Sequence, residues 1–191
     1  PASLVESTAA VFRANDTAIV PTLAHIFKSN EFAQSSYQKY RRPFEFNAAA
    51  IRALGAKVVN GNEHEATLAF VAKLQHLPWQ HPTPDGYPDI AVEWITSGGM
   101  QDRWNLAGNL ARGETPVAVN KANYLPAAGT VDELLNELAA QVGIGTFDSS
   151  DRAAIATAGG VSGTDNAGQL NNKQIAMMTG LVLSHPLFQT R

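Results

Sequence analysis

Apolar residues at Val131, Leu134, Leu135, Leu138 and Val142 follow a Thr130-x-x-Glu133 pair. A capping box followed by spacing of i, i+3, i+4, i+7 and i+11 suits an α-helix with one buried face and excludes a strand. The same logic recurs along the chain. Pro43 occupies a first-turn position ahead of Phe44, Ala48, Ile51 and Leu54, and Gly55 supplies the stop. Ser3 with Glu6 predicts a first helix through Phe12, and Asn15-Asp16 predicts the cap of a second one through Lys28, with Pro21 near its start. Further helices are predicted over 31–40, 64–77, 89–95, 99–112, 151–158 and 172–184. Phe70, Leu74 and Leu77 mark one face of the helix that starts at His64. No alternating strand of useful length exists, and VAVN at Val117 is too short to count. The expectation is an all-α, irregular multi-helix domain spanning 1–191, with long Pro/Gly-rich loops, little or no strand and a helix content above about 45%. The Gly/Ser/Asn-rich run near 159–171 reads as a long loop or linker.

Composition narrows the functional classes. Cysteine is absent, which removes disulfides, thiolate catalysis and zinc–thiolate sites. The net charge of −3 from 14 basic and 17 acidic residues gives no basic face for nucleic acid. The longest apolar run, IAMMTGLVL from Ile175, is half of the roughly 18 residues that a membrane span needs. Charged residues make up only 16% of the chain, against about 25% in soluble domains. Low charge implies that part of the surface is covered by something else. The helix-start signal at Ser3, beside Pro1, adds the expectation of a C-terminal portion of a longer, processed protein.

The histidines His25, His64, His76, His81 and His185 carry no metal-ligand spacing, so neither a metal nor a cofactor is expected. No nucleophile elbow, P-loop or dinucleotide fingerprint is present. The chemistry-bearing residues concentrate between Leu77 and Leu110, which holds all three tryptophans, Trp79, Trp94 and Trp104. Beside them stand Tyr87, Asp85, Asp89, Glu93 and Asp102. Pro84-Asp85-Gly86 is turn chemistry, and Asp89 stands where an N-cap belongs. The candidate ligand or loop-anchoring site is therefore Asp85, Tyr87, Asp89, Trp94, Arg103 and Trp104. Two readings of it stay open. One is a cleft with aromatic platforms and carboxylates, suited to sugar binding or acid–base hydrolysis. The other is a proline-rich loop pinned by its aromatics. In that second reading Met100, Trp104 and Ala107 face the core, and Arg103 at the edge forks onto Asp85 or Asp89.

Three segments resemble one bacterial family, catalogued as domain of unknown function 1800. They are RRPFEFNAAAIRALGA from Arg41, PTPDGYPDIAVEW with RWNLAGNL between Pro82 and Leu110, and LSHPLFQTR from Leu183. The closing segment departs from the family form at His185, Pro186 and Leu187. The resemblance implies an exported, extracytoplasmic protein, periplasmic or secreted, often encoded beside a family resembling sulfatases and alkaline phosphatases. It also implies that this chain is similar to the C-terminal part of longer members with further helices upstream. No activity or catalytic residue is carried over. Two functions are expected to compete. One is a docking or assembly module for the rest of its own polypeptide or another extracytoplasmic protein. The other is a hydrolase of a glycan or other extracellular polymer, using carboxylates of the 82–110 region.

Overall fold

The computed structural model describes residues 1–58, 68–69, 71–115, 117–119 and 129–191. The architecture is all-helical. The chain resolves into two units, one of Pro1–Tyr40 with Arg191 and one of Arg41–Thr190.

The first unit holds α1 (Ala2–Ala14), α2 (Ile19–Phe27) and the single turn α3 (Asn30–Ala33). Ser3 does not cap α1. The helix starts a residue earlier, behind Pro1, with no side-chain cap, so Ser3 is already inside the first turn. Asp16 and Thr17 both have left-handed backbone, at φ 50° and 61°. The Asn15-Asp16 pair is thus spent on reversing the chain, and α2 begins only at Ile19 with Pro21 in its first turn. The helix read as far as Tyr40 stops at Ala33. Ser7 Oγ meets His25 Nε2 at 2.9 Å between α1 and α2, and the Phe27 and Phe32 rings lie 5.0 Å apart.

The second unit carries the core. Its helices are α4 (Pro43–Ala53), α5 (Ser97–Arg112), α6 (Val131–Gln141), α7 (Ser149–Ala158) and α8 (Asn172–Ser184). A helical stretch over 68–69 and 71–73 precedes the Pro-rich loop. The start of that helix at His64, and Phe70 within it, lie outside the described residues. All five apolar positions read for α6 are buried, and its Thr130–Glu133 capping box forms as expected. They pack with Phe46 and Ala50 of α4 and Leu54 just after it, Leu106 and Leu110 of α5, and Met178, Val182 and Leu183 of α8. Phe188, in a short 3-10 turn over Pro186–Gln189, packs edge-on against Phe46 at 5.5 Å.

Residues 89–95 form a 3-10 turn at Ala91–Glu93 rather than an α-helix. The VAVN run does pair: β1 (Lys57–Val58) and β2 (Val117–Ala118) make a two-residue antiparallel ladder. The glycine-rich stretch after α7 is laced to the start of α6. Val131 N–H donates to the Asp165 carbonyl, Asp132 N–H to Gly163, and Ala167 N–H to Gly129, each at 2.9 Å. No described helix is long and apolar enough to cross a membrane.

Candidate functional site

The Pro-rich loop is organised around a histidine. After the helical stretch ends at Lys73, Gln75 takes φ 55° and Trp79 takes φ 59°, left-handed values that bulky residues seldom adopt. Between them the His76 ring is enclosed by Tyr87 at 4.6 Å, Trp94 at 4.7 Å and Phe44 at 6.4 Å. Its Nδ1 accepts the Phe44 N–H at 3.1 Å, satisfying one of the orphan donors in the first turn of α4. Only a neutral ring with its proton on Nε2 can accept there. Burial is the main force holding the His76 pKa below its ordinary value, and the nearby Arg42 charge adds to it. Glu45 opposes that shift and Arg103 reinforces it.

Tyr87 and Trp94 pack under the loop, as expected, with ring centres 5.9 Å apart. Their polar atoms are engaged by backbone: Tyr87 Oη donates to the Leu77 carbonyl at 2.9 Å and Trp94 Nε1 to Pro88 at 2.8 Å. Asp85 stays in its turn, accepting from the Thr83 hydroxyl and lying 3.6 Å from His81 Nε2. The Thr83 hydroxyl, then the Asp85 backbone N–H, holds this carboxyl below its ordinary range. Asp89 does not cap the following turn. Ile90 precedes that turn instead, without a side-chain bond, and Asp89 pairs loosely with Arg42 Nη1 at 3.5 Å.

Arg103 is placed differently from the edge position expected of it. Arg103, Leu106, Ala107, Leu110 and Ala111 form the buried face of α5, with Arg103 at 0% exposure, while Trp104 is 51% exposed. Arg103 Nη1 donates to Gln189 Oε1 at 3.2 Å and Nη2 to the Arg41 carbonyl at 2.8 Å. Its guanidinium also lies over the Phe46 ring at 5.0 Å. The fork therefore ties the C-terminal turn to the entry of α4, and the loop carboxylates find other partners. Gln189 completes this link by donating Nε2 to the Leu183 carbonyl at 3.2 Å. Arg41 Nη1 reaches the Phe188 carbonyl at 2.8 Å.

Two of the concavities among the described residues bear on the site. The first is a cleft of about 640 Å³ between the loop and the start of α5. Tyr87, Trp94 and Arg103 of the candidate site line it, together with Gln80, His81, Lys73, Glu93 and Asp102. Asp85, Asp89 and Trp104 are not in its wall. The second is a groove of about 910 Å³ along α5, α7 and α8, walled by Trp104, Gly108, Ala154, Ile155, Ala176, Met177, Gly180 and Leu181. At its rim His185 Nε2 meets Asp151 Oδ2 at 3.1 Å. His185 Nδ1 accepts the Leu187 N–H, so this imidazole caps a turn and has no free base nitrogen for the neighbouring Ser184. Sequence reasoning passed over the groove, although a signal was present. Gly108 and Gly180 are glycines inside helices, and a Cβ on Gly180 would sit 3.3 Å from Gly108 Cα. Among the described residues no group of three or more His, Asp or Glu is placed to hold a metal ion.

The family described as "Protein of unknown function (DUF1800)" matches residues 1–190. No curated protein and no solved structure matches the chain.

Proposed function

We propose that this chain, which belongs to the DUF1800 family, is a helical docking module. It engages the rest of a longer polypeptide, or another extracytoplasmic protein, through the groove of α5, α7 and α8. The observation that carries this reading is the pair of half-exposed apolar side chains on that groove, Trp104 and Met177. A tryptophan beside a concave apolar wall is the usual anchor of a protein interface, because burying it removes a large apolar area at small entropic cost. The low charge of the chain agrees with a surface that is partly covered. The extracytoplasmic setting enters with the family resemblance.

The test is co-expression of this chain with the upstream helices that the family resemblance implies, as separate pieces. Complex formation is then followed by size-exclusion chromatography. The wild-type chain should co-elute, and Trp104→Arg and Met177→Glu should not, with their own helical content unchanged. Equal co-elution of the variants, or none by the wild type, overturns the reading.

A second reading, hydrolysis of a glycan, has one observation in its favour. Glu93 and Asp102 line the same cleft as Tyr87 and Trp94, which is the pairing of carboxylates with aromatic walls that glycoside hydrolysis uses. Release of reducing ends from a polysaccharide, abolished in Glu93→Gln or Asp102→Asn, would establish it.

A further inference from the structure

The first unit is short of interior. None of α1, α2 and α3 contains a fully buried side chain, although α2 is mostly apolar. Pieces of about 40 residues usually need a cross-link or a partner surface to hold their shape. The absence of cysteine removes the cross-link. The uncovered surface is a stripe. Ile19, Val20, Leu23 and Phe27 are between 43% and 79% exposed. Their spacing of i, i+1, i+4 and i+8 sets them within an arc of about 100° around the helix. His25, on the opposite side, meets Ser7 of α1, so that side already has its neighbour. Phe32 of α3 extends the stripe, with its ring against Phe27.

The occupant that fits this stripe is a second copy of it. No Asp, Glu, Lys or Arg lies between Asp16 and Lys28, so two stripes can meet without burying a charge. The two ends carry opposite signs, and both of those residues are exposed. Parallel pairing would set Asp16 beside Asp16 and Lys28 beside Lys28. Antiparallel pairing brings each Asp16 towards the partner's Lys28 and each helix N-terminus to the other's C-terminus, which favours it on both counts. A two-fold axis at Leu23 then sets Leu23 on the partner's Leu23 and Ile19 on the partner's Phe27, a branched side chain against a ring. The area is sufficient. The stripe and Phe32 expose about 500 Å² per copy, so a pair buries about 1,000 Å², the lower bound for a specific interface. A net charge of −3 opposes association only weakly.

We infer that this chain self-associates as a two-fold dimer through antiparallel pairing of α2, with Leu23 on the axis. The inference goes beyond the docking groove and does not rest on it, since α2 belongs to the first unit and the groove to the second.

The experiment is sedimentation velocity of the full chain from about 1 to 300 μM, the range in which an interface of this size dissociates. The wild type should pass from monomer to dimer across it. Val20→Glu and Leu23→Glu should stay monomeric throughout, with unchanged far-ultraviolet circular dichroism, because both side chains lie outside the packing. Single cysteines then read the geometry, since no native cysteine interferes. On mild oxidation Leu23→Cys should form a disulfide-linked dimer. Ile19→Cys should not, because its two copies stand about 12 Å apart along the pair and a disulfide needs Cα atoms within about 7 Å. A monomer at every concentration, a dimer that survives Leu23→Glu, or cross-linking by Ile19→Cys in place of Leu23→Cys overturns the inference. Trp104→Arg, which disables the docking groove, should dimerise as the wild type does. Loss of the dimer in that variant would move the contact to the groove and overturn the inference as well.

Discussion

Replacing Arg103 by alanine should cost the fold about 3 kcal/mol, and the estimate follows from what the guanidinium holds. It is fully buried and donates to Gln189 Oε1 and the Arg41 carbonyl. Hydrogen bonds from a charged donor contribute about 1.5–3 kcal/mol each, and the stacking over Phe46 adds about 1 kcal/mol. Against this, removing the residue relieves the desolvation of a buried cation, which amounts to several kcal/mol. Breaking a buried ion pair from one side costs about 3–5 kcal/mol because a charge is stranded. Here the acceptors left unsatisfied include a carbonyl and an amide, each costing about 1–3 kcal/mol, which sets the loss at about 3 kcal/mol. In a chain of this length that corresponds to a fall in Tm of about 6–12 °C. Arg103→Lys should recover about half, since an ammonium can satisfy one acceptor but not the fork. The decisive assay is a pair of double-mutant cycles by urea unfolding. Arg103→Ala with Gln189→Leu should show a coupling of about 1 kcal/mol or more, and Arg103→Ala with Asp89→Ala should add within about 0.5 kcal/mol. A loss below about 1 kcal/mol for Arg103→Ala, or equal coupling in both cycles, would refute the reasoning.

Outcomes at three further positions can be checked by the same unfolding measurements. Thr130→Ala should lose about 1 kcal/mol, because the Thr130 hydroxyl and the Glu133 carboxylate each satisfy an orphan N–H of α6; a neutral result means the capping box contributes nothing. Gly180→Val should destabilise by about 2 kcal/mol or more, because its Cβ meets the backbone of Gly108 rather than a movable side chain. Gly180→Ala should come out near zero, with crowding offset by about 1 kcal/mol of helix propensity. His76 is held below its ordinary pKa of 6.5, so the unfolded chain takes up its proton first as the pH falls. Stability from this site is thus present above 6.5 and is lost as the pH drops through the folded value. His76→Asn should flatten the decline of the urea midpoint on the acid side of 6.5, and an unchanged slope would show that the ring is not buried neutral.

The parts of the fold that were legible are those where one local signal decides the matter. In α6 the capping pair and five apolar positions agree, and tertiary packing simply uses them. The end of α4 at Gly55, with φ 56°, was readable for the same reason. Ser3 failed because a cap residue is recognised by a backbone conformation, which the residue type does not specify. Asp89 failed in a related way, since the turn that follows it is three residues long and begins behind Ile90. Arg103 was misplaced because helical spacing gives the width of an apolar face but not its centre. Trp104 and Arg103 are adjacent, and hydrophobicity alone turns the larger ring inward. The actual orientation depends on Gln189 and Arg41, which lie far from Arg103 in sequence and which no local pattern connects to it. The rings of the candidate site, Tyr87 and Trp94, were legible as loop packing. Their enclosure of His76 was not, because it needs the entry of α4 beside them.

Both candidate surfaces lie on one helix. The first turns of α5 give Gly98, Gly99 and Asp102 to the cleft, and its later turns give Trp104, Gly108 and Arg112 to the groove, with Arg103 fixing the rotation that separates them. The three tryptophans divide in the same way. Trp79 is exposed on the Pro-rich loop, Trp94 is 9% exposed within the cleft wall, and Trp104 faces the groove. Indole emission shifts to shorter wavelength when water is removed from the ring, so single-tryptophan variants report the two surfaces independently. A saccharide held in the cleft, as the hydrolase reading requires, should shift a chain that keeps only Trp94 and leave one that keeps only Trp104 unchanged. A protein partner seated in the groove should do the reverse. If either ligand shifts both reporters, the two surfaces are coupled through α5, and Arg103→Lys, which loosens that helix's anchor without removing its charge, should weaken the coupling.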